Sequence, residues 1–233
     1  MRGILFVLRS GIPWEMLPQE MGCGSGMTCW RRLRDWQQAG VWDLIHFVFL
    51  NWLSRYGQID WSVAVVDSCS VRAVFGGAQT GPNPTDRAKL GSKRHLICDG
   101  QGIPLAIQLT GANRNDSRQA VALVDSIPAL QGKRGRPPCR PSCLLGDRGY
   151  DAKAVRDAVR ARRILPQLAK RNTRHSSGLG RGRWVVERTF AWLNQFCRLR
   201  VRYEKRADMH EAFLRLACCL ISWRYLQVAW TAL

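Results

Sequence analysis

Acidic residues are scarce in this chain. There are 17 Asp and Glu against 36 Lys and Arg in 233 residues, a formal net charge of +19. A surface that basic calls for a polyanionic partner, most often nucleic acid. Histidine is scarcer still, with four residues. None stands at zinc-finger spacing from Cys23, Cys29, Cys139 or Cys143, and no Cys-x2-Cys pair occurs, so a structural zinc site is excluded. The nine cysteines are an odd set scattered through apolar runs, which reads as reduced thiols in the cytosol. Long apolar runs are missing too. The longest, Val41 to Leu53, is broken by Asp43, His46 and Asn51, short of the roughly 20 residues of a membrane span. The opening Met1–Arg9 is too short and too charged for a signal peptide, and no internal repeat is present. What remains is a globular chain, 46% apolar, with length for one or two domains.

Where acids are few, their positions carry information. Asp67 ends the run Val63-Ala-Val-Val-Asp67 and Asp147 ends Cys143-Leu-Leu-Gly-Asp147. Both runs are short and apolar, the first of them rich in β-branched valine, so they predict buried strands. A carboxylate at the end of such a strand lies where open α/β sheets hold ligands. Glu187 interrupts a third segment whose Val186, Phe190, Leu193 and Cys197 recur at helical spacing. On a buried helix it must be paired or metal-bound. Arg183, Glu187, Ala191 and Asn194 share one stripe of that helix, so an Arg183–Glu187 ion pair is the plain alternative. Together the three acids form an oxygen-only donor set suited to Mg²⁺. Residues 153–206 hold 16 basic residues against three acids, which sets the basic surface around Glu187.

The remaining acids have simpler readings. Asp99, in Asp-Gly-Gln-Gly, is a turn former, although it is the main rival acid. Asp86 lies in a loop, and Asp116 and Asp151 read as helix caps. His175 falls in a basic loop with no partner for metal binding. Residues 1–58 read as a small N-terminal helical region. Arg31, Arg32 and Arg34 there suit either a helix-turn-helix-like DNA contact or a packing cap. Residues 59–233 read as a catalytic domain. A strand over 63–74 is followed by a hairpin of 95–98 with 103–109, a helix to about Ser126 and a basic connector at 133–141. Then come a strand at 143–146, a helix over 151–162 and a strand at 164–167. A basic loop over 170–183 precedes the Glu187 helix. A capping box, Asp208-x-x-Glu211, opens the last helix. The expected fold class is α/β, a mixed sheet flanked by helices.

With these residues in view, the chain resembles the insertion-sequence DDE transposases, in the short branch with a ribonuclease-H-like catalytic domain. The segments that carry the resemblance are Val-Val-Asp67-Ser, Leu-Gly-Asp147-Arg-Gly-Tyr-Asp, and Arg183-Trp-Val-Val-Glu187-Arg-Thr-Phe-Ala-Trp-Leu. Leu-Ile-Cys-Asp-Gly-Gln-Gly-Ile-Pro-Leu-Ala and Thr-Gly-Ala-Asn-Arg-Asn-Asp116-Ser add to it. The family pattern Tyr-x2-Arg-x3-Glu-x6-Lys is met by Arg183 and Glu187, while Gly180 and Asn194 stand at its Tyr and Lys positions. The phosphate contact of that Lys then falls to Arg188 or Arg198. The chain also begins inside what resembles the family's N-terminal helical region, as a truncated reading frame would.

The resemblance implies Asp67, Asp147 and Glu187 as catalytic and metal-binding residues. It implies two Mg²⁺ ions, with Mn²⁺ as a substitute, and metal-dependent strand cleavage and strand transfer. The expected DNA-binding residues are Arg171, Arg174, Arg181, Arg183, Arg188 and Arg198. The expected partners are terminal inverted repeats and target DNA, bound by a homodimer in the nucleoid-associated cytoplasm, with no membrane. Trp184 and Trp192 suit either base stacking or the core. A catalytically inactive DNA-binding remnant and a general nuclease of the same fold remain the competing readings.

Overall fold

The computed structural model describes residues 1–130, 140–171 and 180–231. Arg174, His175 and nearly all of the expected basic connector lie outside the described residues. The N-terminal region folds as α1 (Arg2–Ser10), α2 (Gly26–Gln38) and α3 (Val41–Arg55). The strands are β1 (Val63–Arg72), β2 (Gly81–Pro82), β3 (Leu90–Asp99), β4 (Pro104–Gly111), β5 (Cys143–Gly146) and β6 (Leu165–Leu168). Helices α4 (Ser117–Asp125), α5 (Lys153–Ala161), α6 (Gly180–Asn194), α7 (Cys197–Arg200) and α8 (Ala207–Thr231) complete the chain.

The sheet is ordered β2-β3-β1-β5-β6, with β4 also paired to β3. β3 runs antiparallel to β1 and β4, while β5 runs parallel to β1 and β6 parallel to β5. Helices α4 and α5 make the crossovers that parallel pairing requires. A mixed sheet built from an antiparallel hairpin and two β–α units is the ribonuclease-H-like arrangement. The hairpin turns at Asp99, whose Oδ1 accepts the N–H groups of Gln101 (3.0 Å) and Ile103 (2.7 Å) and whose Oδ2 accepts that of Asp60 (2.9 Å). Gly102 adopts φ +90°, and a Cβ there would stand 2.9 Å from Thr189 Oγ1 on α6. Glycine thus lets the turn lie against that helix.

Side-chain alternation divides the core. Val65, Leu96, Cys98, Leu109 and Leu145 face α6, α8 and the first two helices. Ala64, Val66, Ile97, Leu105 and Leu144 face α4 and α5, together with the end of α3. Segment 1–58 joins both cores. Ile4, Leu8, Leu33 and Trp42 enter the first, and Leu50 and Leu53 the second, all fully buried. At roughly 1.5–3 kcal/mol per buried large apolar side chain, these six contribute on the order of 10 kcal/mol before the entropy of ordering the chain is subtracted. α8 is long and apolar enough to cross a membrane by composition. Here it is a core helix that buries Phe213, Leu214, Ala217, Cys218 and Leu226.

Several local expectations need correction. Asp67 does not stand at the end of its strand: β1 runs on to Arg72, within the expected 63–74, because Ser68 to Arg72 pair with β3. Asp116 and Asp151 are not caps. Asn115 Oδ1 accepts the Ser117 N–H at 3.0 Å, and Asp151 instead binds Arg156 and the Arg171 N–H. The capping box of α8 does not form, because Asp208 pairs with Arg206 at 2.7 Å.

Candidate active site

The parallel register of β1 and β5 pairs Val66 with Gly146. Asp147 keeps an extended backbone (φ −79°, ψ −175°), so the next position sets Asp67 beside Asp147 at the interstrand spacing of about 4.8 Å. Alternation turns both side chains to the α6 face, as it does Val65 and Leu145. Asp147 Oδ1 accepts the Gly149 N–H at 2.8 Å, which fixes the carboxylate over a one-turn 3-10 helix, Arg148–Tyr150. Asp67 Oδ1 accepts the Ser68 N–H at 2.8 Å. Burial pushes the Asp67 carboxyl up to about 6. The Ser68 N–H and Arg183 oppose the rise, while Asp147 and Glu187 add to it.

α6 crosses this face of the sheet. It buries Val185, Val186, Thr189, Phe190 and Leu193. Glu187 was expected on a buried surface; its side chain is exposed. The polar stripe is real, but it faces outward, across the strand ends. Arg183, the suggested partner of Glu187, turns to Asp67, with Nη2 3.6 Å from Oδ2. The like charges of Asp147 and Glu187 both act on Asp67 through space, so the three acids share one region of the molecule.

Carboxylates alone are the donor chemistry a hard divalent cation takes. The side-by-side aspartates fit it. Glu187 lies within their field but not at ligating spacing: among the described residues no three His, Cys, Asp or Glu side chains are spaced to hold a metal ion.

Of the expected DNA-binding arginines, Arg183 lies at the acids. Arg171 is exposed beside Asp147, its guanidinium donating to the carbonyls of Arg148 (2.9 Å) and Gly149 (3.3 Å). Arg181 belongs to the first turn of α6. Arg188 is committed elsewhere. It lies between the Trp184 and Trp192 rings, 4.4 and 4.8 Å from their centroids, and donates to the Gln101 carbonyl at the hairpin turn. Arg198 is a correction. It is 7% exposed, ion-paired with Glu204 at 2.7 Å, and donates to the carbonyls of Gly11 and Ile12. A guanidinium so enclosed cannot meet a phosphate. Asn194, at the family's Lys position, accepts from the fully buried Arg94 at 3.0 Å. Trp184 is half exposed, whereas Trp192 packs edge-on against Tyr225. Asp99 is fully buried and, as its turn motif indicates, bonded to backbone N–H groups.

Sequence reasoning missed Asp116. Its Oδ1 accepts from Ser68 Oγ (2.8 Å) and Lys93 Nζ (3.0 Å), immediately behind Asp67. The only signal was its place in the Asn-Arg-Asn-Asp-Ser segment.

An acid within β1 and another just after the neighbouring β5, with a third acid on a helix across them, define a ribonuclease-H-like domain with a carboxylate site. Residues 60–222 match the family described as Transposase DDE domain, and residues 1–46 match transposases of the IS4/5 family. The chain belongs to the DDE-domain transposases. It is 57% identical over 155 residues to a Burkholderia cepacia protein named as the transposase for insertion sequence element IS402. The match covers 66% of this chain and 74% of that one. A Brucella ovis protein named as the transposase for insertion sequence element IS6501 is 26% identical, over 56% of this chain and 96% of its own length. Among solved structures, the catalytic domain of Mos1 mariner transposase matches with TM-score 0.31 and 13% identity, covering 81% of this chain and 93% of that one. A likeness that slight establishes nothing about activity.

Proposed function

We propose that this transposase cleaves DNA strands at the ends of its insertion sequence and joins the freed 3′-hydroxyl to target DNA. The observation that supports this reading is the β1–β5 register, which pairs Val66 with Gly146 immediately before Asp67 and Asp147, together with the charges of Asp147 and Glu187 that act on Asp67. Asp67 and Asp147 would hold a divalent cation, Mg²⁺ or Mn²⁺, and Glu187 would complete the set for a second. Bound there, the two ions would activate the attacking oxygen and stabilise the leaving one. The attacking oxygen belongs first to water and then to the 3′-hydroxyl. Arg183 and Arg171 flank the acids and take phosphates of the entering strand, which carry no base information.

A second contact is assigned to α2. Arg31 and Arg32 are exposed there, and Trp30 lies within reach of both Arg34 (5.4 Å) and Arg206 (6.0 Å). This basic and aromatic surface suits the duplex behind the cleaved end. Paired ends bound by a homodimer on the nucleoid complete the reading.

The test compares labelled DNA bearing the element's ends with unrelated DNA, in Mg²⁺. Asp67→Asn, Asp147→Asn and Glu187→Gln should each lower cleavage by roughly a thousandfold or more, several kcal/mol of barrier, while DNA binding persists. A Glu187→Gln protein that cleaves normally would remove Glu187 from the site. Equal cleavage of unrelated DNA would make the protein a general nuclease, and no cleavage by the parent chain would make it a DNA-binding remnant.

A further inference from the structure

Asp116 stands at the start of α4, on the face of the sheet opposite α6. Helix capping has passed to Asn115, which leaves the Asp116 carboxylate available to the strands. Oδ1 accepts from Ser68 Oγ on β1 (2.8 Å) and from Lys93 Nζ on β3 (3.0 Å), with His95 Nδ1 at 3.8 Å. Lys93 is held in turn by the Arg114 carbonyl at 2.9 Å. Oδ2 faces the other way, towards Gly149. A Cβ built on Gly149 would lie 3.5 Å from Asp116 Oδ2 and 2.9 Å from Asp147 Oδ1.

Ser68, which Asp116 holds, and Gly149, which its Oδ2 faces, have one property in common. Ser68 donates its N–H to Asp67 and Gly149 donates its N–H to Asp147, each at 2.8 Å. These are the backbone donors that orient the two site aspartates. A carboxylate that grips the Ser68 hydroxyl and walls in Gly149 therefore acts on both acids from behind. Its charge is met by Lys93 and one oxygen already has two donors, so it differs from Asp67, whose nearest cation stands 3.6 Å away. We propose that Asp116 is a positioning residue, holding Ser68 and Gly149 so that Asp67 and Asp147 keep the mutual orientation that catalysis needs. The proposal rests on the reading of Asp67 and Asp147 as the catalytic pair.

Groups that orient metal-binding side chains are worth about 10- to 100-fold in affinity or activity. In the full chain, Asp116→Ala should lower kcat on element-end DNA by about that factor, with KM for DNA unchanged. Mn²⁺ alone, titrated into the DNA-free protein and followed by the paramagnetic resonance of the free ion, should bind more weakly by a similar factor. Asp116→Asn keeps an oxygen for Ser68 and Lys93, so it should recover kcat to within a few-fold of the parent. Should Asp116→Ala not fold, Ser68→Ala removes the same link and should shift Mn²⁺ affinity in the same direction. Three results would overturn the proposal. Unchanged kcat and Mn²⁺ binding in Asp116→Ala would show that the contacts do nothing. A lowered melting temperature with kcat per folded molecule and Mn²⁺ binding intact would make the role only structural. An Asp116→Asn protein as inactive as Asp67→Asn would make Asp116 a ligand. Asp67→Asn is assayed beside them. If it is inactive while Asp116→Ala is normal, only this proposal falls; if it still cleaves, both readings fall.

Discussion

Two regions that enclose charge treat it in opposite ways. Around α7, Arg198 pairs with Glu204 and with two carbonyls of the N-terminal region. Next to it Arg202, 1% exposed, donates to the carbonyls of Ala78, Gln79, Glu204 and Lys205 and to Ser92 Oγ. Nearly every donor there has an acceptor. At the strand ends, Asp67 has one backbone N–H, a distant arginine and two acids for neighbours. Charges that hold a fold are matched within it. Those at the strand ends are left partly unmatched, and the stability given up there is what a bound cation or phosphate could restore.

Breaking the matched region should have the largest effect on stability. Arg198→Ala leaves the buried Glu204 with His210 as its remaining partner and two part-buried carbonyls without their donor, and should lower unfolding free energy by about 3–5 kcal/mol, measured in urea. A loss under about 1 kcal/mol would erase the contrast between the regions. Asp67→Asn should act in the other direction. The folded carboxyl titrates near 6 against an ordinary value of 3.8, so between those values the folded state holds the proton more tightly than the unfolded state. Stability therefore falls as pH rises through that window and stays lowered above it. In a chelator at pH 7.5, Asp67→Asn should be more stable than the parent by about 1–3 kcal/mol, and at pH 4 by almost nothing. Asp99 is shifted the same way by burial, but it is present in both proteins and cancels. A variant that is equally stable at both pH values would mean that Asp67 is as well matched as Glu204. The smallest effect is expected on the surface. Arg171→Ala should reduce the slope of log affinity against log salt by about 0.9, one phosphate contact, on any DNA sequence. An unchanged slope would separate Arg171 from the DNA path.

Legibility in the sequence followed the same division. The short apolar runs before Asp67 and Asp147 announced two buried strands, and their shared register then followed from the sheet. The stripe of Arg183, Glu187, Ala191 and Asn194 was legible from periodicity, but its outward aspect was hidden because the apolar residues around Glu187 read as a buried helix. Arg198 looked like any member of a basic run. What distinguishes it is Glu204, six residues on, together with carbonyls nearly 190 positions away, and no local pattern encodes such a contact. The strand from Ser68 to Arg72 falls within the expected 63–74; what stayed hidden is that it is held by pairing with β3, so that Asp67 sits inside the strand and not at its end. Asp116 was misread for a related reason. A cap signal is local, and neighbouring Asn115 satisfied it, which left a carboxylate whose partners come from β1 and β3.

The dependence of both cores on α8 has a consequence for how the protein comes into being. α3 lies against α8, and these partners are synthesised at opposite ends of the chain. The sheet and its acids leave the ribosome before the helix that closes them in. Until then Trp42, Leu50 and Leu53 lack the α8 side of their packing, and loop closure over such a span is slow. The nascent chain is therefore expected to pass through a sticky, incompletely packed form that depends on chaperones. The number of competent molecules in a cell would then be set by the rate at which one late helix docks.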